Sequence, residues 1–181
     1  MKIEKTTLEG VFIIEPNIFA DSRGWFYESY SKQKLSALGL NVDFVQDNHS
    51  YSATRFTLRG LHFQSSPKSQ GKLIRCTKGR IFDVAVDIRK GSMKFGKWFG
   101  IELTPENKKQ LFIPRGFAHG FLTLENDTEV MYKADEYYAP EYDHTIIWND
   151  PDIKIDWETS TPILSDKDSK GKTLKEIEEI L

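Results

Sequence analysis

Apolar residues along this chain come in short bursts, each cut off by turn residues. "VFIIEP" (11–16), "GWFYESY" (24–30) and "VDFVQ" (42–46) are the first. "KLIRC" (72–76), "RIFDVAVDI" (80–88), "KWFGIEL" (97–103), "QLFIP" (110–114), "AHGFLTLE" (118–125) and "EVMYKADEYY" (129–138) follow. Between them stand "KGR", "RKGSMKFG", "TPENK", "PRG" and "LENDT". Many short strands at a spacing of roughly 8–12 residues predict an all-β sandwich or barrel. Two stretches have a helical period. "SKQKLSALGL" (31–40) opens on Ser31, a residue that caps a first turn, and closes near Gly39. "TLKEIEEIL" (173–181) sets Leu174, Ile177, Ile180 and Leu181 along one stripe, a short C-terminal helix. No internal repeat, low-complexity tract or linker interrupts the pattern, so residues 1–181 read as one domain. "SDKDSKGK" (165–172) is the most polar stretch and reads as a solvated connector to the last helix.

Several polar side chains sit inside the apolar bursts. In "RGLHFQ" (59–64), strand alternation puts Gly60 and His62 on one face and Leu61 and Phe63 on the other. The histidine then points into a space that a glycine leaves open. In "RGFAHGF", His119 lies between Gly116 and Gly120 among Phe117, Ala118 and Phe121. Asp83 and Asp87 interrupt an otherwise apolar strand; a buried aspartate needs a partner, and His119 is a natural one for such an acid. Lys72 shares a face with Ile74 and Cys76, and Tyr132 with Val130 and Ala134. Taken one at a time, each is also read as a packed core residue or a strand-start surface residue. Together they are two histidines, a lysine, a tyrosine and acids on strands that line one barrel.

Composition narrows the chemistry. The 25 basic and 27 acidic side chains leave a net charge of -2, which gives no basic footprint for nucleic acid or an anionic membrane. A single cysteine, Cys76, rules out a disulfide within one chain and fits a reducing cytosol. No apolar run approaches a membrane span, and the N-terminal "MKIEKTTLEG" has no secretory apolar core. The four histidines, His49, His62, His119 and His144, form no H-x-H or H-x-x-x-H pair, so no metal is expected. No phosphate-binding glycine loop and no G-x-S-x-G elbow are present. Acid–base chemistry without a metal remains. A histidine that removes a proton beside a carbonyl, a lysine that stabilises the enolate oxygen and a tyrosine that returns a proton from the other face would invert a carbon centre.

The stretches "DSRGWFYESY", "FVQDNHS", "LRGLHFQ", "QGKLIRCTKGRIFDVAVDIRKGS", "FGKW", "IPRGFAHGF", "YYAPEYDHTIIWNDPDIKIDW" and "LSDKD" together resemble the dTDP-4-dehydrorhamnose 3,5-epimerases, the RmlC-type branch of the cupin superfamily. The resemblance covers nearly the whole chain. It implies a double-stranded β-helix, or jelly roll, and a homodimer that exchanges N-terminal strands. It implies a dTDP-linked 4-keto-6-deoxyhexose as substrate, inversion at C3 and C5, and neither metal nor organic cofactor. By position it makes His62 the base, Asp168 its orienting acid, Tyr132 the acid, and Lys72 the neighbour of the keto oxygen. Asp83 supports His119. Arg23, Glu28, Gln46, Asn48, Arg59, Lys72, His119, Tyr138, Asp143 and Lys167 become substrate contacts, with Tyr138 near the nucleotide base and the arginines on the diphosphate. The connector "SDKDSKGK" becomes an orienting loop. One departure is visible: Asp143 stands where the family often has glutamate, keeping the charge and shortening the reach. An epimerase acting at one carbon or on another nucleotide would share these residues. A non-catalytic sugar-nucleotide-binding cupin would be expected to lose His62, Tyr132 or Asp168, and a metal-dependent oxygenase would need ligands that are absent here.

Overall fold

In the computed structural model, which describes residues 1–181, two antiparallel sheets pack face to face. The N-terminal strands are β1 (Lys2–Lys5), β2 (Phe12–Glu15), β3 (Phe19–Asp21) and β4 (Gly24–Phe26). After helix α1 (Lys32–Ala37) come β5 (Gln46–Ser52), β6 (Leu58–Gln64), β7 (Lys72–Lys78) and β8 (Ile81–Asp87). The remaining strands are β9 (Trp98–Leu103), β10 (Gln110–Ile113), β11 (Phe117–Thr123), β12 (Thr128–Ala134) and β13 (Asp143–Thr145), followed by the short helices α2 (Asp166–Ser169) and α3 (Leu174–Glu178). One sheet runs β1-β2-β10-β7-β12-β5 and the other β13-β6-β11-β8-β9, while β3 and β4 form a separate hairpin.

The apolar bursts explain this layout because most of them bury both faces. Between the sheets lie Ile13, Ile74, Cys76, Leu111 and Val130 from one side and Ile81, Ala85, Leu103 and Phe121 from the other. The outer face of the five-stranded sheet carries Leu61, Phe63, Val84, Val86 and Leu122, covered by Ile146, Ile153, Trp157 and the α3 residues Leu174 and Ile177. The outer face of the six-stranded sheet carries Ile14, Leu73 and Phe112, covered by Leu35 of α1 and Leu40. Ser31 caps α1 as its sequence predicts, and Thr173 and Glu176 form a reciprocal capping box on α3.

Boundaries depart from the sequence pattern in four places. The 24–30 burst is a strand only over Gly24–Phe26. Residues 42–45 are not a strand; the strand starts at Gln46 and runs through the polar "QDNHSYS". Strand β12 stops at Ala134, short of Tyr138. The C-terminal helix stops at Glu178, and Ile180 is 41% exposed instead of lying on a buried stripe. The polar connector also holds a helix, α2, capped by Ser165.

The glycine beside His62 does a different job from the one alternation assigns. Gly60 leaves no open space: a Cβ there would lie 2.5 Å from the Gly120 Cα. Its φ is +133°. At this contact β6 slips against β11, so that His62 pairs with His119 but Arg59 pairs with Phe121. The extra residue on β6 brings Arg59 and His62, three apart and therefore opposite in a regular strand, to the same face. Gly60→Ala adds both left-handed backbone strain and overpacking, and should destabilise the fold by about 2–5 kcal/mol in chemical denaturation.

Candidate active site

Between the sheets, on the side of β5 and β13, opens a cavity of about 210 Å³. Ser50, Arg59, His62, Lys72, His119, Phe121, Tyr132, Ser165, Lys167 and Asp168 line it. His62 enters from β6 in one sheet, and Tyr132 enters from β12 in the other. Alternation on β5 then accounts for the polar strand. Gln46, Asn48 and Ser50 are partly buried while Asp47, His49 and Tyr51 are exposed, and Asn48 and Ser50 pair with Tyr132 and Val130.

His62 Nε2 lies 2.5 Å from Asp168 Oδ1, and Asp168 is 3% exposed. Burial alone would raise the Asp168 carboxyl. The hydrogen bond and charge of His62, the Ser165 hydroxyl and Lys167 outweigh it and hold the group below its ordinary range. The carboxylate therefore accepts from the Nε2–H, which leaves Nδ1 of His62 free to take a proton. Ser165 positions the acid a second time: its Oγ accepts the Asp168 backbone N–H at 3.1 Å as the cap of α2.

His119 is also paired, through Nε2 at 2.8 Å from Oδ1 of the fully buried Asp83. Burial keeps its imidazole below the ordinary value, against the pull of Asp83, with Lys72 and His62 pushing the same way as burial. His119 is thus a neutral ring, 6.5 Å from the Tyr132 ring between centroids. Burial raises the Tyr132 phenol, so it keeps its proton at neutral pH. Lys72 Nζ sits 5.9 Å from the same ring. Its burial brings the ammonium down to about 8, although Asp143 and Asp83 favour the charge.

A second polar chain runs along the rim. Lys167 pairs with Asp143 Oδ2 at 2.5 Å, and the Tyr138 hydroxyl donates to the same oxygen at 3.0 Å. The Tyr138 N–H donates to Gln46 Oε1, and Gln46 Nε2 donates to Asn48 Oδ1, both at 3.0 Å. Arg59 is steadied by Ser52 Oγ and the Tyr51 carbonyl. Two residues named from the sequence stand elsewhere. Arg23 pairs with Asp21 on the exposed β3–β4 hairpin, and Glu28 pairs with Lys34. Neither reaches the cavity of its own chain. Sequence reasoning passed over Ser50, Phe121 and Ser165. Ser50 and Phe121 each lie two residues beyond a named residue on the same strand face, and Ser165 opens the S-x-x-D cap of α2. No group of three or more His, Cys, Asp or Glu side chains stands close enough to hold a metal.

The family model for dTDP-4-dehydrorhamnose 3,5-epimerase matches residues 5–176. The chain belongs to that family. It is therefore an isomerase of the epimerase type. It is 53% identical over 179 residues to the dTDP-4-dehydrorhamnose 3,5-epimerase of Escherichia coli K12, covering 98% of this chain and 96% of that one. The structure of dTDP-6-deoxy-D-glucose-3,5-epimerase RmlC from Legionella pneumophila, in complex with dTDP-4-keto-L-rhamnose, superposes with a TM-score of 0.94 at 45% identity, over 99% and 95% of the two chains. The 3'-monoepimerase ChmJ from Streptomyces bikiniensis, in complex with dTDP-quinovose, gives 0.89 at 33% identity, over 97% and 89%. The two-sheet sandwich is thus the cupin jelly roll of these epimerases.

The Lys72 charge has a measurable stability signature. The folded value of about 8 lies below the ordinary 10.5, so between the two the unfolded chain binds more protons. Stability then rises as pH increases from 8 to 10.5, and below 8 the full penalty applies. Lys72→Met should gain about 1–3 kcal/mol at pH 7 and lose that rise, as measured by urea unfolding across the window.

Proposed function

We propose that this epimerase inverts C3 and C5 of dTDP-4-dehydro-6-deoxy-D-glucose to give dTDP-4-dehydro-L-rhamnose, as a step in dTDP-L-rhamnose formation. The observation that carries this reading is the placement of His62 and Tyr132 on opposite sheets across one cavity. Inversion needs a proton taken from one face of a ring carbon and returned on the other. His62, with Nε2 tied to Asp168, takes the proton next to the C4 ketone through Nδ1. The electron pair moves onto the ketone oxygen, where the Lys72 ammonium stabilises the enolate. Tyr132 then delivers its phenolic proton to the opposite face of the same carbon. The ketone flanks C3 and C5, so one base–acid pair serves both carbons if the ring turns between steps. No metal or organic cofactor enters this scheme.

Arg59, Lys167, Asn48 and Gln46 are read as contacts to the nucleotide diphosphate and base, with Tyr138 stacked on the base. Asp143 holds Lys167 and Tyr138 at this end. Arg23 and Glu28 fit the reading when the hairpin of a second copy supplies them. Phe19, Trp25 and Phe26 are 60%, 58% and 65% exposed on that hairpin, more apolar surface than a lone hairpin keeps in water. A homodimer with exchanged N-terminal strands covers them. No helix is long and apolar enough to cross a membrane, and a cytoplasmic site of action fits a nucleotide-sugar substrate. The likeness to a 3'-monoepimerase favours one alternative, inversion at a single carbon, by the same residues.

NMR of the product formed from dTDP-4-dehydro-6-deoxy-D-glucose in deuterated water separates the two. Deuterium at both C3 and C5 is expected; label at one carbon would establish the alternative, and none would remove the epimerase reading. The result should survive exhaustive EDTA treatment. His62→Ala should lose exchange at both carbons. Tyr132→Phe should still incorporate deuterium yet invert more slowly by about 10²–10⁴-fold. Equal inversion in Tyr132→Phe and wild type would assign the acid to another group. Sedimentation velocity should show a dimer, and deleting the β3–β4 hairpin should weaken both dimerisation and dTDP binding; a wild-type monomer would refute the exchange.

A further inference from the structure

The glutamine of "RGLHFQ" has no part in the proton transfers, yet it is 5% exposed and makes three hydrogen bonds. Gln64 Nε2 donates to the Lys68 carbonyl at 2.6 Å and to the Tyr137 carbonyl at 3.2 Å. Its Oε1 accepts the Ala139 N–H at 2.8 Å. The last two bonds grip the backbone on either side of Tyr138. That tyrosine stands on the segment after β12 and is 56% exposed, so packing does not hold its ring. Three polar contacts hold it instead: the Gln64 grip, its own N–H on Gln46, and its hydroxyl on Asp143. An exposed aromatic fixed in this way loses little freedom when a planar ligand stacks on it.

We infer that Gln64 is a positioning residue that presets Tyr138 for the nucleotide base. The inference rests on the reading of the cavity as a dTDP-sugar site. Because β6 carries both His62 and Gln64, two residues apart on one face, it registers the nucleotide end of the substrate against the base that acts on the sugar. Glutamine suits the task where leucine or glutamate does not. Its amide supplies two donors and one acceptor to a backbone that offers two carbonyls and one N–H. Glutamate would keep the acceptor and turn a carboxylate towards two carbonyl oxygens.

The test uses dTDP as the probe, with Gln64→Leu, Gln64→Glu and Tyr138→Ala. Gln64→Glu, nearly the same shape, carries the test if Gln64→Leu does not fold. Each Gln64 variant should weaken dTDP binding in calorimetry by about tenfold, roughly what one hydrogen bond is worth. KM should rise similarly while kcat stays within about threefold, since His62, Tyr132 and Lys72 are untouched. In the Tyr138→Ala background the Gln64 change should add less than about twofold, because residues acting through one group are not additive. Losses that multiply with Tyr138→Ala, or a fall in kcat at unchanged KM, would overturn the inference in favour of a general structural role. Unchanged affinity in Gln64→Glu would overturn it outright. Failure of the wild type to bind dTDP would reject the site reading itself. The grip is then still decided by amide exchange in the free protein, which should quicken at Tyr138 and Ala139 in the Gln64 variants and would refute the grip if unchanged.

Discussion

The approach of two glycines, Gly60 on β6 and Gly120 on β11, sets the geometry of everything that faces the cavity. A Cβ at Gly60 would lie 2.5 Å from the Gly120 Cα, and one at Gly120 would press on the Arg59 carbonyl and Leu61 Cδ2, each at 3.0 Å. The contact lets β6 take one more residue than β11 over the same span. Leu61 and Phe63 still enter the outer core, while Arg59 and His62 both turn inward. The apolar core thereby holds a strand whose other face is almost wholly polar. Sheets packed on both outer faces, by α1 on one and α3 on the other, give that face rigid support.

The cavity is maintained against the ordinary preferences of its side chains. Lys72 and the Asp83–His119 pair are buried where the core would accept aliphatic groups without penalty. Asp83 Oδ2 and Thr145 Oγ1 are buried with no hydrogen-bond partner. Such groups oppose folding; the same burial keeps His119 neutral and Tyr132 protonated. Asp168 shows the opposite balance. It is buried as well, but His62, Ser165 and Lys167 surround it, and it remains a carboxylate.

How much of this was legible in the sequence depended on which face of a strand was apolar. Strands β7 to β12 announced themselves because apolar residues fill the two cores they bound. Strand β5 did not, since its inward residues are Gln46, Asn48 and Ser50 and its outward ones are Asp47, His49 and Tyr51. Periodicity of hydrophobicity cannot mark a strand that is polar on both faces. Residues Lys72, His62, His119, Tyr132 and Asp83 stood out as polar interruptions in apolar runs, and the fold gathers them. Asp168 had no such frame; only the family resemblance pointed to it, because its contact with His62 spans 106 residues of chain. The same-face placement of Arg59 and His62 was invisible to alternation, which a bulge at Gly60 breaks. Arg23 and Glu28 were named by resemblance, and the single chain leaves them on its surface.

The polar inward face of β5 has a consequence for the molecule in a crowded cell. Each sheet ends at the cavity mouth, one on the seven-residue β5 and the other on the three-residue β13; β5 has a row of backbone groups with no neighbouring strand, while the Thr145 carbonyl of β13 accepts the Lys172 N–H. A long open edge with apolar side chains would recruit strands from other molecules. Here the longer edge alternates charged, amide and hydroxyl groups, and the shorter one begins with Asp143. Along this strand, the residues that open the sandwich to a small soluble molecule are also those that leave its bare edge with little apolar surface to recruit foreign strands.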